Sequence, residues 1–164
     1  MNFALDPRPV AQAFPTILAH EGVWAGTYRH VDAEGMLIDE HASRITCEFP
    51  HSGPWAYIQH NQFTWADGRE QRVTLPGRLQ GQRLYWDVES FSGYSWSTDG
   101  GILLLHIDRK DEPGAHFLEI IIANDSVTER VRTWHWFKNG QLFKRTLCNE
   151  RKVAALSPQP QPDH

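Results

Sequence analysis

Gly22-Val23-Trp24 marks the point where the chain changes its period. Upstream, residues 8–20 place Val10, Phe14, Ile17 and Leu18 on roughly one face at helical spacing. Pro15 falls inside that pattern, so the expected element is a short helix, or one broken near the proline. Downstream, apolar residues recur every second position almost to the end, which is the signature of strands. The alternation predicts strands over 22–31, 37–49, 55–65, 69–75, 83–88, 91–97, 102–108, 117–123, 128–137 and 141–153.

The breaks between these runs carry turn chemistry. Ala66-Asp67-Gly68, Asp99-Gly100-Gly101 and Lys138-Asn139-Gly140 are strong short-range hairpin signals, and Pro76-Gly77 is read as a strand stop. About ten strands joined mostly by tight turns fit an all-β, closed up-and-down antiparallel β-barrel with a short N-terminal helix. Closure removes the edges that so many strands would otherwise expose. A sandwich is the competing architecture, but it needs longer crossovers than these turns supply. The expected organisation is a helical lead-in over 1–21, the barrel over 22–153 and a tail over 154–164. The run Ser157-Pro158-Gln159-Pro160-Gln161-Pro162 makes that tail polar and disordered in expectation.

A chain of 164 residues is one domain, long enough to bury a core without cross-links. Its net charge of -4 carries no nucleic-acid footprint. No apolar run approaches the roughly 20 residues of a membrane span. Met1-Asn2-Phe3-Ala4-Leu5-Asp6 lacks a secretory signal, so Cys47 and Cys148 are expected to be reduced thiols in a cytoplasmic protein. Aromatics make up 12% of the chain, enough to wall a pocket as well as fill a core.

Gly22-Val23-Trp24 on the first strand resembles the Gly-x-Trp of the calycin superfamily: lipocalins, fatty-acid-binding proteins and nitrobindin-like barrels. The stretch from Trp134-His135-Trp136-Phe137 to Leu147 resembles uncharacterised bacterial calycin-like domains. The resemblance implies a barrel with an interior that holds a small molecule, and a helix across one open end. It also implies that Trp24 packs at the closed end beneath an arginine from the last strand, for which Arg145 and Arg151 are the candidates. A guanidinium over an indole gains cation–π attraction and covers an apolar face.

In the run 128–137, alternation puts Arg130, Arg132, Trp134 and Trp136 on one face. By resemblance to fatty-acid-binding barrels, an inward arginine there would grip a ligand carboxylate with its bidentate fork. The alternative is that both arginines pair with acidic residues on adjacent strands. On the third strand Trp55, Tyr57, Gln59, Asn61, Phe63 and Trp65 share a face that suits either a pocket wall or plain core. Gly93 suggests a bulge or a close backbone approach to a ligand. The expected pocket has several hundred Å³. Its lining is drawn from Trp24, Tyr28, Tyr57, Trp86, Tyr94, Arg130, Arg132 and Trp134.

The 9 histidines show no metal-binding spacing, and no metal or cofactor is assigned from sequence. His20, His30, His41, His51 and His116 are read as solvated, near strand ends or turns. His60, His106 and His135 lie within strands, and the nitrobindin-like resemblance implies haem binding through one such histidine. Catalytic residues stay unassigned: Glu40 with His41, His60 facing Glu40 or Arg44, and Tyr28 as an acid are conceivable, but their register is unknown. No Gly-x-Ser-x-Gly elbow is present.

The leading expectation is therefore a barrel that binds a small, partly apolar, anionic molecule. Competing with it are an isomerase, cyclase or lyase in the same cavity, a haem or chromophore protein, and a filled barrel that binds partners through its surface. The expected partner is a small molecule, neither nucleic acid nor membrane, with a homodimer left open.

Overall fold

The computed structural model describes residues 5–156. Met1–Ala4 and the proline-spaced Ser157–His164 lie outside the described residues. Two short helices lead into ten strands: α1 (Pro9–Ala13), α2 (Pro15–Leu18), β1 (Gly22–Asp32), β2 (Leu37–Glu48), β3 (Tyr57–Thr64), β4 (Glu70–Gln80), β5 (Arg83–Asp87), β6 (Phe91–Ser97), β7 (Leu103–Arg109), β8 (Ala115–Ala123), β9 (Glu129–Lys138) and β10 (Gln141–Ala154). Each strand pairs antiparallel with its sequence neighbours, and β1 pairs with β10 to shut the barrel. The all-β, up-and-down expectation holds.

Pro15 does break the helical segment, and it also starts the second piece. Both helices carry proline at their first position, where no backbone N–H is needed. Val10, Phe14 and Ile17 are buried and join the same apolar cluster as Trp24 and Phe49, so the helices plug one end of the barrel. No helix among the described residues is long and apolar enough to cross a membrane.

Two glycine-bearing turns show how local chemistry sets the topology. Asn139 and Gly140 both adopt positive φ, 49° and 78°, the twist that lets a two-residue loop join β9 to β10. Gly22 has φ +132°, and a Cβ there would sit 2.9 Å from the Ala154 carbonyl oxygen. The glycine of Gly22-Val23-Trp24 is thus required by backbone conformation where β1 meets the end of β10.

One boundary departs clearly from the sequence reading. Pro76-Gly77 does not stop β4, which runs on to Gln80. Residues up to Gly77 pair with β3, and Arg78 to Gln80 pair with β5. Pro76 sits at this hand-over between ladders, a place where a missing N–H is tolerated.

Candidate functional site

The closed end is built around Trp24, which is fully buried. Its indole N–H donates to the His20 carbonyl at 2.9 Å, and the Arg130 guanidinium lies 4.1 Å from the ring centroid. The arginine over the tryptophan therefore comes from β9, not from Arg145 or Arg151 of β10. The reason is parity: on β10 the inward residues are Thr146, Cys148 and Glu150, and their neighbours turn outward. Arg151 is an exposed partner of Glu129, 3.3 Å away. The last strand still contributes a cation, because Lys152 Nζ approaches the same indole to 5.1 Å.

Above this floor lies a charge-balanced network. Arg130 Nε donates to Glu150, and an Arg130 NH donates to His20 Nδ1 at 3.2 Å. Arg132 donates to Glu119 at 2.7 Å, to Glu150 at 3.2 Å and to the Tyr28 hydroxyl at 2.8 Å. Two guanidiniums thus meet two carboxylates, all four nearly sealed from water. Both inward placement and acidic pairing across strands hold together. Burial pushes the Glu150 carboxyl up, but Arg132 and Arg130 outweigh it and hold it below the ordinary carboxylate range. Burial, aided by Arg130 and Lys152, pushes His20 down to about 3, so its ring is neutral and accepts from Arg130. Burial also raises the Tyr28 phenol well above its usual value.

From the network towards the open end, the barrel encloses a cavity of about 480 Å³. Tyr28, Phe63, Trp65, Trp86, Phe91, Phe117, Trp134 and Trp136 form its aromatic wall. A polar ladder climbs β3 beside them: the Tyr57 hydroxyl donates to the Gln59 amide oxygen at 2.8 Å, and the Gln59 amide N–H donates to Asn61 at 2.8 Å. At the mouth, Lys144 Nζ lies 4.1 Å from the Trp136 centroid. Among the described residues Lys144 forms no ion pair. Burial and the nearby Arg109 push its pKa down.

Of the eight residues expected to line the pocket, Tyr28, Trp86, Arg132 and Trp134 do so. Tyr57 and Arg130 lie one layer deeper, around a small void of about 30 Å³, and Trp24 is the floor. Tyr94 stands on the outer face of β6, between Tyr85 and Trp96 and beneath Arg83. Its inward neighbours are Gly93 and Ser95. Gly93 marks a close approach between strands, since a Cβ there would sit 2.1 Å from the His106 carbonyl oxygen.

The histidines are distributed differently from the sequence reading. His60, His106 and His135 stand clear of the cavity: His60 bonds Thr74, His106 stacks on Tyr94 and His116, and His135 is half-exposed. His20 and His41 are buried, and His30 and His41 line the cavity mouth with Asp39. The signal was present in the alternation. His30 shares its face with Trp24 and Tyr28, and Asp39 and His41 share theirs with Ile45 and Cys47. His41 Nδ1 contacts Asp39 at 3.1 Å, and the Trp65 indole N–H donates to the same carboxylate at 3.0 Å. His30 Nδ1 contacts Thr146 Oγ1 at 2.8 Å, and the Trp136 indole donates to that oxygen at 2.8 Å. Burial and Lys144 push the His30 imidazole down to about 4.

A ten-stranded closed barrel with a ligand-sized, aromatic interior is the class these features define. No family model matches the sequence, and no curated protein matches it. Solved structures do match in fold. A protein of unknown function from the DUF3598 family of Nostoc punctiforme superposes with a TM-score of 0.67 at 17% identity, over 84% of this chain and 49% of that one. The present chain thus spans about half the length of that protein. The S-type phycobiliprotein lyase CPES of Guillardia theta superposes with a TM-score of 0.67 at 12% identity, over 84% of this chain and 90% of that one. At such identities the likeness is one of fold.

Proposed function

We propose that this protein is a calycin-like barrel that binds a small, flat, partly apolar molecule in its interior, with an anionic group held at the mouth. The observation that carries this reading is the cavity of about 480 Å³ walled by aromatic rings and lined as well by polar and charged side chains. That composition suits a drug-sized organic ligand: apolar walls supply affinity and the polar groups supply orientation. The anionic preference rests on Lys144 and not on the buried arginines. Arg130 and Arg132 are already neutralised by Glu119 and Glu150, whereas Lys144 forms no ion pair among the described residues. The likeness to a phycobiliprotein lyase supports the barrel and leaves the ligand to be argued from the cavity.

A histidine of strongly shifted pKa inside the cavity, as His30 is, is the sign that an enzyme in the same cavity would show, and what weighs against it is the weak basicity of that ring. A general base works best with a pKa near the working pH, and an imidazole pushed down to about 4 is a weak one. Haem ligation through His60, His106 or His135 loses its geometric basis, since none of them lines the cavity.

The test has two arms. Native mass spectrometry of freshly purified protein reads any small molecule carried through purification. Quenching of tryptophan fluorescence by an aromatic sulfonate, anilinonaphthalene sulfonate, reads the cavity directly. Leu105 lines the cavity, and Leu105→Trp fills it from the wall. That variant should stay folded and lose at least about tenfold in affinity, roughly 1.4 kcal/mol. Equal binding by wild type and Leu105→Trp would place the probe on the surface and overturn the reading.

A further inference from the structure

We propose that His30 and His41 ligate a divalent first-row cation of the zinc type at the cavity mouth, with Asp39 orienting His41 and supplying negative charge. This goes beyond the binding of an organic molecule and does not depend on it.

The three residues meet because of strand register. His30 on β1 lies directly opposite Asp39 on β2, and His41 sits two residues along the same face, opposite Tyr28. Ligand-type atoms of all three lie within 4.8 Å of one another. Two ligands of a tetrahedral ion with bonds of about 2.1 Å stand roughly 3.4 Å apart, so the side chains must draw closer to share an ion. His30 is half-buried at the mouth, which leaves it room for that adjustment.

The second observation is a hydrogen-bonding deficit. His41 is 6% exposed, yet its Nε2 is buried with no hydrogen-bond partner. Its other nitrogen, Nδ1, is held by the Asp39 carboxylate. A carboxylate accepts only, so Nδ1 carries a proton, and in the neutral ring Nε2 offers its lone pair. Buried polar atoms in folded proteins are nearly always paired, and a bare imidazole lone pair facing no donor calls for a Lewis acid. Carboxylate on one ring nitrogen and metal on the other is the usual arrangement around a ligating histidine.

The surroundings are built to hold these rings. Trp65 fixes Asp39 from the other side. The Thr146 hydroxyl, already accepting from Trp136, has a second lone pair for His30 Nδ1–H, which frees His30 Nε2. Lys144 opposes a cation here, and the Asp39 charge counters it in part. All three residues line the cavity, so coordination positions not filled by the chain are reached from its interior. Water or an oxygen donor of a bound molecule can occupy them.

The experiment is titration of the untagged full chain with Zn²⁺ by calorimetry, with Co²⁺ absorption as the spectroscopic readout. One equivalent should bind. His41→Ala and, where that variant folds poorly, His30→Gln should abolish the stoichiometric site. Asp39→Asn should weaken it about 10–100-fold, as loss of an orienting carboxylate does. His60→Ala and His135→Ala, on the outer face, should leave it unchanged. Failure of the wild type to bind one equivalent, or binding that survives His30→Gln and disappears with His60→Ala, overturns the proposal. Quenching by anilinonaphthalene sulfonate in the same samples reads the cavity separately, so failure of the cation site is distinguishable from failure of the cavity.

Discussion

The Arg130 guanidinium and the Glu150 carboxylate form an ion pair shut away from water, with side-chain exposures of 4% and 0%. They stand opposite each other on β9 and β10, and Arg132 and Glu119 complete a balanced quartet. Removing Arg130 leaves Glu150 and Glu119 sharing the one guanidinium of Arg132, an excess buried charge of the kind that typically costs about 3–5 kcal/mol. Arg130→Met should therefore be severely destabilising. Arg130→Met with Glu150→Gln leaves Arg132 paired with Glu119, so the double variant should lose clearly less than the sum of the singles. Urea unfolding of the four proteins measures the coupling, and additive losses would show that the quartet does not act as a unit.

The barrel was legible because its turns are local. Asn139-Gly140 demands positive φ whatever surrounds it, and alternation in the run after Thr128 correctly gave one face to Arg130, Arg132, Trp134 and Trp136. Most of what failed needs register or the choice of inner face. Arg145 and Arg151 are on the last strand, but only the pairing of β10 with β9 reveals that Glu150, not an arginine, points inward there. Pro76 looks like a stop because the hand-over from β3 to β5 is invisible in one dimension. Tyr94 is as aromatic as Trp86, and the strand could be assigned inside from outside only by its glycine and serine neighbours. His30 and His41 were discounted for lying near strand ends, although their parity with Trp24 and Ile45 already turned them inward.

Gly93 offers a test of how tightly β6 and β7 approach. A Cβ at this position would meet the His106 carbonyl oxygen at 2.1 Å and Ile107 Cα at 2.9 Å, both backbone atoms with little freedom to yield. Gly93→Ala should destabilise by about 2 kcal/mol or more, in the range of overpacked sites. Thermal unfolding that matches wild type would mean that the two strands separate without cost.

His20 should give the fold an acid-sensitive component. In the folded chain its pKa is pushed down to about 3, against an ordinary value of 6.5, by burial and by Arg130, Lys152 and Arg132, with Glu150 acting the other way. Between those values the unfolded chain holds the extra proton, so stability rises with pH and is lost as pH falls below about 6.5. One such group gives a slope approaching 1.4 kcal/mol per pH unit, at about 25 °C. His30 is also pushed down and adds to the wild-type slope, so the comparison with His20→Gln isolates His20. Unfolding free energies measured from pH 7 to pH 4 should fall less steeply in His20→Gln; parallel curves would show that His20 keeps an ordinary pKa.

Lys144 is a source for the proposed anion preference other than the inward arginines expected from sequence. If the buried arginines gripped the ligand, changes at the mouth would matter little. The structure gives Arg132 three partners already, two of them carboxylates, so a ligand anion there would compete with Glu119 and Glu150 for a charge they already neutralise. Lys144 is half-buried, rests on Trp136 and forms no ion pair among the described residues. An anion at the mouth therefore gains a cation without breaking an existing pair. Such a partly solvated contact is worth on the order of 1 kcal/mol, or roughly fivefold in affinity. Lys144→Gln should weaken anilinonaphthalene sulfonate by about that factor while leaving an uncharged aromatic probe of similar size unaffected. The loss should shrink as salt is raised, because charges near solvent are screened. Equal weakening of charged and uncharged probes would mean that Lys144 acts through its packing on Trp136 and not through its charge.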